Sequence, residues 1–323
     1  MSGRYEKDLR IDNAIKAKLT SLPEVVTEYY YSLLSDGKSY RTAAEYIDRV
    51  EKFIKFVFGE PYPSEFYTNV KPSHITRYIS SLRTHTSGGK TKKLSDSYRT
   101  VCWSALNSFF QFLVPEYIQS NPVASTNRPK MRDNPEVTFL TEEEIALVLD
   151  NVKKKANTRM INRDLCILKI GFAVGIRVSE IVQIDIDDLD LKRGKIKITG
   201  KGDRVYNVFI GDNLKQQIRL WLKDRDVYFN NTNSNALFVS QEGNRISPRT
   251  IKDLIDKYTD VVDKHVTPHV MRHSCATNLY EKTGDIYLCA GQLNHKNVTT
   301  TQRYAELSDS KKKQATNILD NML

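Results

Sequence analysis

The sequence predicts a mainly α protein of two domains, a helical first domain followed by an α+β domain with a small antiparallel sheet. Three observations carry that expectation. A chain of 323 residues exceeds the usual single-domain size. Across residues 23–115 apolar residues recur at helical spacing, with no alternating run long enough for a sheet. Further on, two alternating segments, 195–198 and 204–208, flank a glycine-bearing turn, the pattern of a tight β-hairpin.

In chain order, residues 1–20 read as an N-terminal tail and 21–120 as the helical domain. The clearest helix starts at Ser39-Tyr40-Arg41-Thr42 and carries Ala43, Tyr46, Ile47, Val50, Phe53, Ile54 and Val57, with Gly59 as its stop. A second opens near Ser73 and carries Ile75, Tyr78, Ile79 and Leu82. A third opens near Ser95 and runs through Val101, Trp103, Leu106 and Phe109 to Leu113. Between them, Ser87-Gly88-Gly89-Lys90-Thr91-Lys92-Lys93 reads as a flexible basic loop. Residues 121–138 hold three prolines and little periodicity, which predicts an interdomain linker.

The second domain, 139–323, opens on Thr141-Glu142-Glu143-Glu144. This is a capping box, in which the Thr141 hydroxyl and the Glu144 carboxylate satisfy each other's free backbone donors. Residues 163–174 read as a buried helix ended by Gly175, suited to a left-handed C-terminal turn, so Arg177 falls just past a helix end. The hairpin places Lys201 on its turn. The rest reads as helical apart from a strand-like Leu237-Phe238-Val239-Ser240.

Composition narrows the function classes. Hydrophobic residues make up 40% and charged residues 27%, the profile of a globular protein. No apolar run approaches the roughly 18 residues a membrane span needs, and the N-terminus has no signal-peptide core, so a cytoplasmic protein is expected, with no membrane partner. Cys102, Cys166, Cys275 and Cys289 are far apart and each lies in an apolar stretch, as buried free thiols would. The formal charge of +10 favours a polyanionic partner. Basic residues exceed acidic ones on both sides of Asp133, 20 against 14 before the cut and 29 against 25 after it. A duplex would then touch both domains, with strongly salt-dependent binding.

The chemistry concentrates late in the chain. In Thr267-Pro268-His269-Val270-Met271-Arg272-His273, Thr267 is a good N-cap and Pro268 suits the first helical position. His269 then falls in the first turn and Arg272 one turn later, on the same side. Helix-terminal amides, an imidazole and a guanidinium converging on one spot can hold a phosphodiester. Leu293-Asn294-His295 follows, and Tyr304 stands nine residues after His295, in Thr300-Thr301-Gln302-Arg303-Tyr304-Ala305.

With these segments in order, Gly175-Ile176-Arg177-Val178-Ser179-Glu180, the Gly200-Lys201-Gly202 turn, His269-x-x-Arg272-His273, His295 and Tyr304, the chain resembles the tyrosine recombinases, the family of phage integrases and Xer-type proteins. The resemblance covers roughly residues 141–323. The helical first half is similar to the family's core-binding, DNA-contacting domain in layout more than in motif.

The resemblance implies a site-specific recombinase that cuts and rejoins DNA through a 3′-phosphotyrosyl bond to Tyr304, exchanging strands through a Holliday junction as a tetramer on two recombination sites. It implies Arg177 and Arg272 as clamps on the scissile phosphate, Lys201 as general acid, and His269 and His295 as assistants in proton transfer and oxygen binding. Glu180 buttresses the site and His273 supports packing. No metal or other cofactor is implied. Lys90, Lys92, Lys93 and Arg204 are expected to meet DNA, and the tail from Lys311, with Ala315, Ile318, Leu319 and Met322 at helical spacing, to dock on a neighbouring protomer.

Two departures from the family pattern are visible. Asn294 stands where the family usually has Gly and Met271 where Leu is usual; Asn tolerates the left-handed conformation a glycine would favour. A type IB topoisomerase shares the tyrosine, arginine and histidine chemistry, although a helical N-terminal domain does not fit it. A DNA-binding regulator without cleavage remains the reading from another class.

Overall fold

A computed structural model of the chain describes residues 2–87, 90–130, 137–200, 204–229 and 234–294. The chain divides into two compact units, Met1–Asn134 and Pro135–Leu323. Among the described residues, no helix is long and apolar enough to cross a membrane.

The first unit is built from α1 (Ser2–Leu19), α2 (Glu24–Ser35), α3 (Tyr40–Phe58), α4 (Pro72–Ser81) and α5 (Asp96–Phe112), with a 3-10 turn at Phe66–Asn69. Ser39 and Ser95 cap α3 and α5 as their sequences predict, each hydroxyl accepting the amide three residues on. The core is aromatic: Tyr29, Tyr30, Phe53, Phe66, Phe109 and Phe110 are all buried, and Phe109 meets Tyr29 edge-on at 5.1 Å.

Three expectations for this unit need correction. Residues 1–20 are no tail, because α1 docks on the bundle through buried Ile15 and Leu19 and through Asp12. That carboxylate is 6% exposed and accepts from the Tyr30 hydroxyl at 2.7 Å and Lys16 Nζ at 2.8 Å. The basic segment is a hairpin, with β1 (Thr84–Ser87) antiparallel to β2 (Lys90–Lys93) and Thr84 opposite Lys93. Neither strand has the apolar alternation that marks a sheet. The start of the expected linker belongs to the first unit. Val123 is fully buried, Asn121 Nδ2 donates to Asn107 Oδ1 at 3.0 Å, and Trp103 Nε1 donates to Thr126 Oγ1 at 2.9 Å.

The second unit holds α6 (Glu142–Lys155), α7 (Ile161–Ala173), α8 (Val178–Gln183), β3 (Leu189–Asp190), β4 (Lys195–Thr199), β5 (Val205–Phe209), α9 (Asp212–Phe229), α10 (Pro248–Tyr258), α11 (Pro268–Thr283) and α12 (Ile286–Gln292). The sheet is antiparallel in the order β3-β4-β5, with Ile196 opposite Val208 and Ile198 opposite Tyr206. Its inner residues Ile196, Ile198 and Val208 join the core with α7, whose Cys166, Ile167, Leu168 and Ile170 are fully buried. The capping box on α6 forms as expected, Glu144 Oε2 accepting from the Thr141 amide at 2.8 Å. The strand-like 237–240 contributes only an isolated bridge, Val239 to Arg245, and stays outside the sheet. The four cysteines are buried and free.

Candidate active site

The site is assembled at three chain breaks: the turn after α7, the start of α11 and the end of α12. Gly175 ends α7 with φ 70°, and a Cβ there would stand 2.7 Å from Leu293 Cδ2 and 3.1 Å from Cys275 Sγ. Conformation and space both call for glycine. The chain then turns into Arg177, the N-cap of α8.

Glu180 is 3% exposed and serves Arg177 twice. Its Oε2 accepts the Arg177 amide at 2.7 Å and its Oε1 accepts NH1 at 2.9 Å, while the Arg177 side chain itself is 46% exposed. A buried carboxylate thus fixes the base of a guanidinium whose other end reaches solvent.

Arg272 is 6% exposed. Its NH1 donates to Gly175 O at 2.5 Å and its NH2 to Leu293 O at 2.6 Å. One side chain therefore joins the turn leading to Arg177 to the turn leading to His295. Close approach of α11 to α7 also uses Met271: its Cε would lie 2.2 Å from a Cβ placed on Gly171, so a glycine accepts the longer thioether.

At the head of α11, Thr267 Oγ1 and O take the amides of Val270 and Met271, and Pro268 has none to offer. The His269 amide is the donor left there, and its side chain is exposed, whereas His273 is half-buried. Arg272, on the same helix, is thus drawn inward while His269 stays at the surface. Asn294 adopts φ 49°, the left-handed conformation that a glycine would take.

On the hairpin, the Gly200 amide donates to Arg204 O at 2.8 Å and closes the strand ends, with Arg204 exposed. Lys201, His295 and Tyr304 lie outside the described residues. Lys90, Lys92 and Lys93 sit on β2 in the first unit. Among the described residues, no cluster of His, Cys, Asp or Glu has the arrangement of a metal site.

Sequence reasoning missed Tyr206. Its hydroxyl is sealed from solvent and makes no hydrogen bond of good geometry among the described residues, and burial, with the Glu180 carboxylate beside it, pushes the phenol up to about 12. A Cβ on Gly200 would stand 3.3 Å from Glu180 Oε1 and 3.4 Å from Tyr206 Cε1, so the hairpin end runs between the two side chains. No motif marks a tyrosine that joins the site from across a strand pair.

Arg177, braced by a buried carboxylate, and Arg272, braced by backbone carbonyls, thus share the turn after α7, and likeness to known proteins says to which family such a chain belongs. Residues 138–311 match the phage integrase family, and the chain belongs to that family, the tyrosine recombinases. It is a site-specific recombinase enzyme. Tyrosine recombinase XerC of Escherichia coli O1:K1 / APEC is 32% identical over 233 residues, which are 71% of this chain and 76% of that protein. The fold is shared with XerH recombinase bound to palindromic difH, at a TM-score of 0.66 and 22% identity over 87% of this chain and 80% of that one. It is shared too with a lambda integrase tetramer bound to a Holliday junction, at 0.66 and 15% over 90% and 80%.

Proposed function

We propose that this recombinase cuts and rejoins double-stranded DNA at specific recombination sites, with Tyr304 as nucleophile and a 3′-phosphotyrosyl intermediate. The single observation that best supports the assignment is the Arg272 clamp, which ties Gly175, two residues before Arg177 in sequence, to Leu293.

The physical demand follows from charge. A phenol of pKa about 10 is ionised to about one part in a thousand at neutral pH, a deficit of roughly 4 kcal/mol, and its target already carries negative charge. Arg177 and Arg272 meet the non-bridging oxygens as the pentacoordinate phosphorus forms; removing one donor of this kind costs about 3–4 kcal/mol. The Tyr304 oxygen bonds to phosphorus while the bond to the 5′-oxygen breaks. Lys201 gives that oxygen its proton, His269 takes part in moving the tyrosine proton, and His295 donates to a non-bridging oxygen. The phosphodiester energy stays in the tyrosyl ester, so a 5′-hydroxyl can reverse the step and rejoin the strand.

We assign the first unit as the core-binding domain, with its Lys90, Lys92 and Lys93, and Arg204 of the second unit, on phosphates. Strand exchange runs through a Holliday junction within a tetramer on two sites, in the cytoplasm. The tail from Lys311, which lies outside the described residues, is assigned to docking on a neighbouring protomer, and an apolar groove of about 690 Å³ in the second unit, lined by Leu149, Phe172, Phe209, Leu279 and Leu288 among others, is a surface of the kind such a helix would need.

The test is a nicked duplex carrying candidate sites, incubated with protein and denatured. A covalent protein–DNA band with wild type and none with Tyr304→Phe is expected. No band on DNA that the protein binds would favour the non-cleaving regulator; cleavage without exchange between two sites would favour a topoisomerase.

A further inference from the structure

Tyr206 is a described residue at the site whose chemistry the proposed mechanism leaves idle. It stands on β5 opposite Ile198, within the hairpin whose turn carries Lys201. Its hydroxyl oxygen is buried and, among the described residues, makes no hydrogen bond of good geometry, although the Glu180 and Asn294 side chains stand beside it. The polar groups acting on that oxygen all belong to the site: Glu180, which braces Arg177; Asn294, which turns the chain toward His295; and Arg272. Gly200, the residue before Lys201, is wedged between Glu180 Oε1 and the Tyr206 ring. A side chain there would push the hairpin off the carboxylate.

We propose that Tyr206 is a positioning residue for strand cleavage: its hydroxyl tethers the hairpin to Glu180 and Asn294 and thereby sets the Lys201 ammonium against the leaving oxygen. The inference rests on the strand-transfer reading above. Site hydrogen bonds are often open without substrate and close in the reacting complex, which suits a donor held ready beside a carboxylate. The raised phenol keeps its proton at neutral pH, so it donates and adds no charge. Glu180 already accepts twice from Arg177, and each carboxylate oxygen has capacity for another donor. Tyr206 would thus make one carboxylate the common reference for both the phosphate clamp and the general acid.

The test separates the lysine from the arginines by leaving group. A duplex with sulfur in place of the bridging 5′-oxygen expels a thiolate, which needs no proton from an acid, so it bypasses Lys201 and still needs both arginines. Adduct formation is timed in single turnover on oxygen and sulfur substrates for wild type, Tyr206→Phe and Lys201→Ala. Tyr206→Phe is expected to slow the oxygen substrate on the order of tenfold, part of the 10²–10⁴ that a positioned acid supplies, and the sulfur substrate by less than about twofold. Its duplex affinity should match wild type and its thermal midpoint should not fall, since the hydroxyl that is removed makes no well-formed hydrogen bond in the free protein. Lys201→Ala should give the same pattern at larger amplitude. Equal slowing on both substrates would overturn the tether and place Tyr206 with the arginines. No slowing on either would make it a packing residue. Should wild type form no adduct on either substrate, the strand-transfer reading itself fails, and this assignment with it.

Discussion

Helix α7 has an arginine–carboxylate pair at each end, and the two are built for opposite purposes. At its start, Arg163 and Asp164 are both buried, with side chains 4% and 3% exposed. Arg163 gives Nε to Asp164 Oδ1 at 2.9 Å and NH1 to Val239 O at 2.8 Å, while Asp164 Oδ2 accepts from the Tyr258 hydroxyl at 2.7 Å. The group directs its hydrogen bonds inside the protein. Past the other end of the helix, Glu180 is as buried as Asp164, but its partner Arg177 is 46% exposed. Holding the carboxylate inside and the guanidinium half out gives a cation of fixed direction that still has donors to offer. The same two functional groups thus make a strut in one place and a hand in the other, and exposure of the cation decides which.

That contrast is open to test. Arg177→Ala should slow covalent adduct formation by about 10²–10³, the range for removal of one transition-state donor, with a smaller loss of stability than Arg163→Ala because the buried Glu180 carboxylate keeps the backbone amide at position 177 as a donor. Arg163→Ala should do the reverse: it strands the Asp164 carboxylate in the interior, at a cost of about 3–5 kcal/mol of unfolding free energy in chemical denaturation, with adduct formation retained by whatever fraction stays folded. A large catalytic defect in folded Arg163→Ala would erase the distinction. Arg177→Lys is the finer probe. The charge remains but the planar fork does not, so we expect adduct formation to slow about tenfold or more with unchanged duplex affinity. Gly175→Ala strains a left-handed turn and drives a methyl against Leu293, so it should cost about 1–3 kcal/mol of stability, read by denaturation, and lower the adduct rate with it.

The smallest expected effect lies in the other unit. Replacing Lys90, Lys92 and Lys93 together with alanine should flatten the dependence of log affinity on log salt by about 3, roughly one for each phosphate that is no longer neutralised, without altering the adduct rate on saturated enzyme. An unchanged slope would show that β2 does not meet the DNA.

The second unit was far more legible in its sequence than the first. Thr141 with Glu144, Gly175 before Arg177, and the alternating pair around Gly200 are local signals, and each is realised locally. In the first unit the misread segments are held by partners distant in the chain. Asp12 occupies the buried stripe of α1 where an apolar residue would have shown the period, and its reason for being there is Tyr30, eighteen residues on. Asn121 and Val123 lie in a proline-bearing stretch that looks like a linker until α5 is placed beside it. Within the site the same rule holds. Arg177 and Arg272 stand in recognisable boxes, whereas Tyr206 matters only because the sheet and the α7–α8 turn carry it and Glu180 to the same glycine.

Arg272 has a practical consequence for anyone who wants a recombinase that grips DNA without cutting it, whether to trap complexes or to occupy a site as a block. Its guanidinium ties Gly175 O to Leu293 O, so mutating it removes a cross-brace along with the phosphate ligand proposed above, and an inactive product would report on neither alone. A dead enzyme meant as a tool is better made at the proposed nucleophile, by Tyr304→Phe, which removes one oxygen and leaves the Arg272 side chain in the sequence.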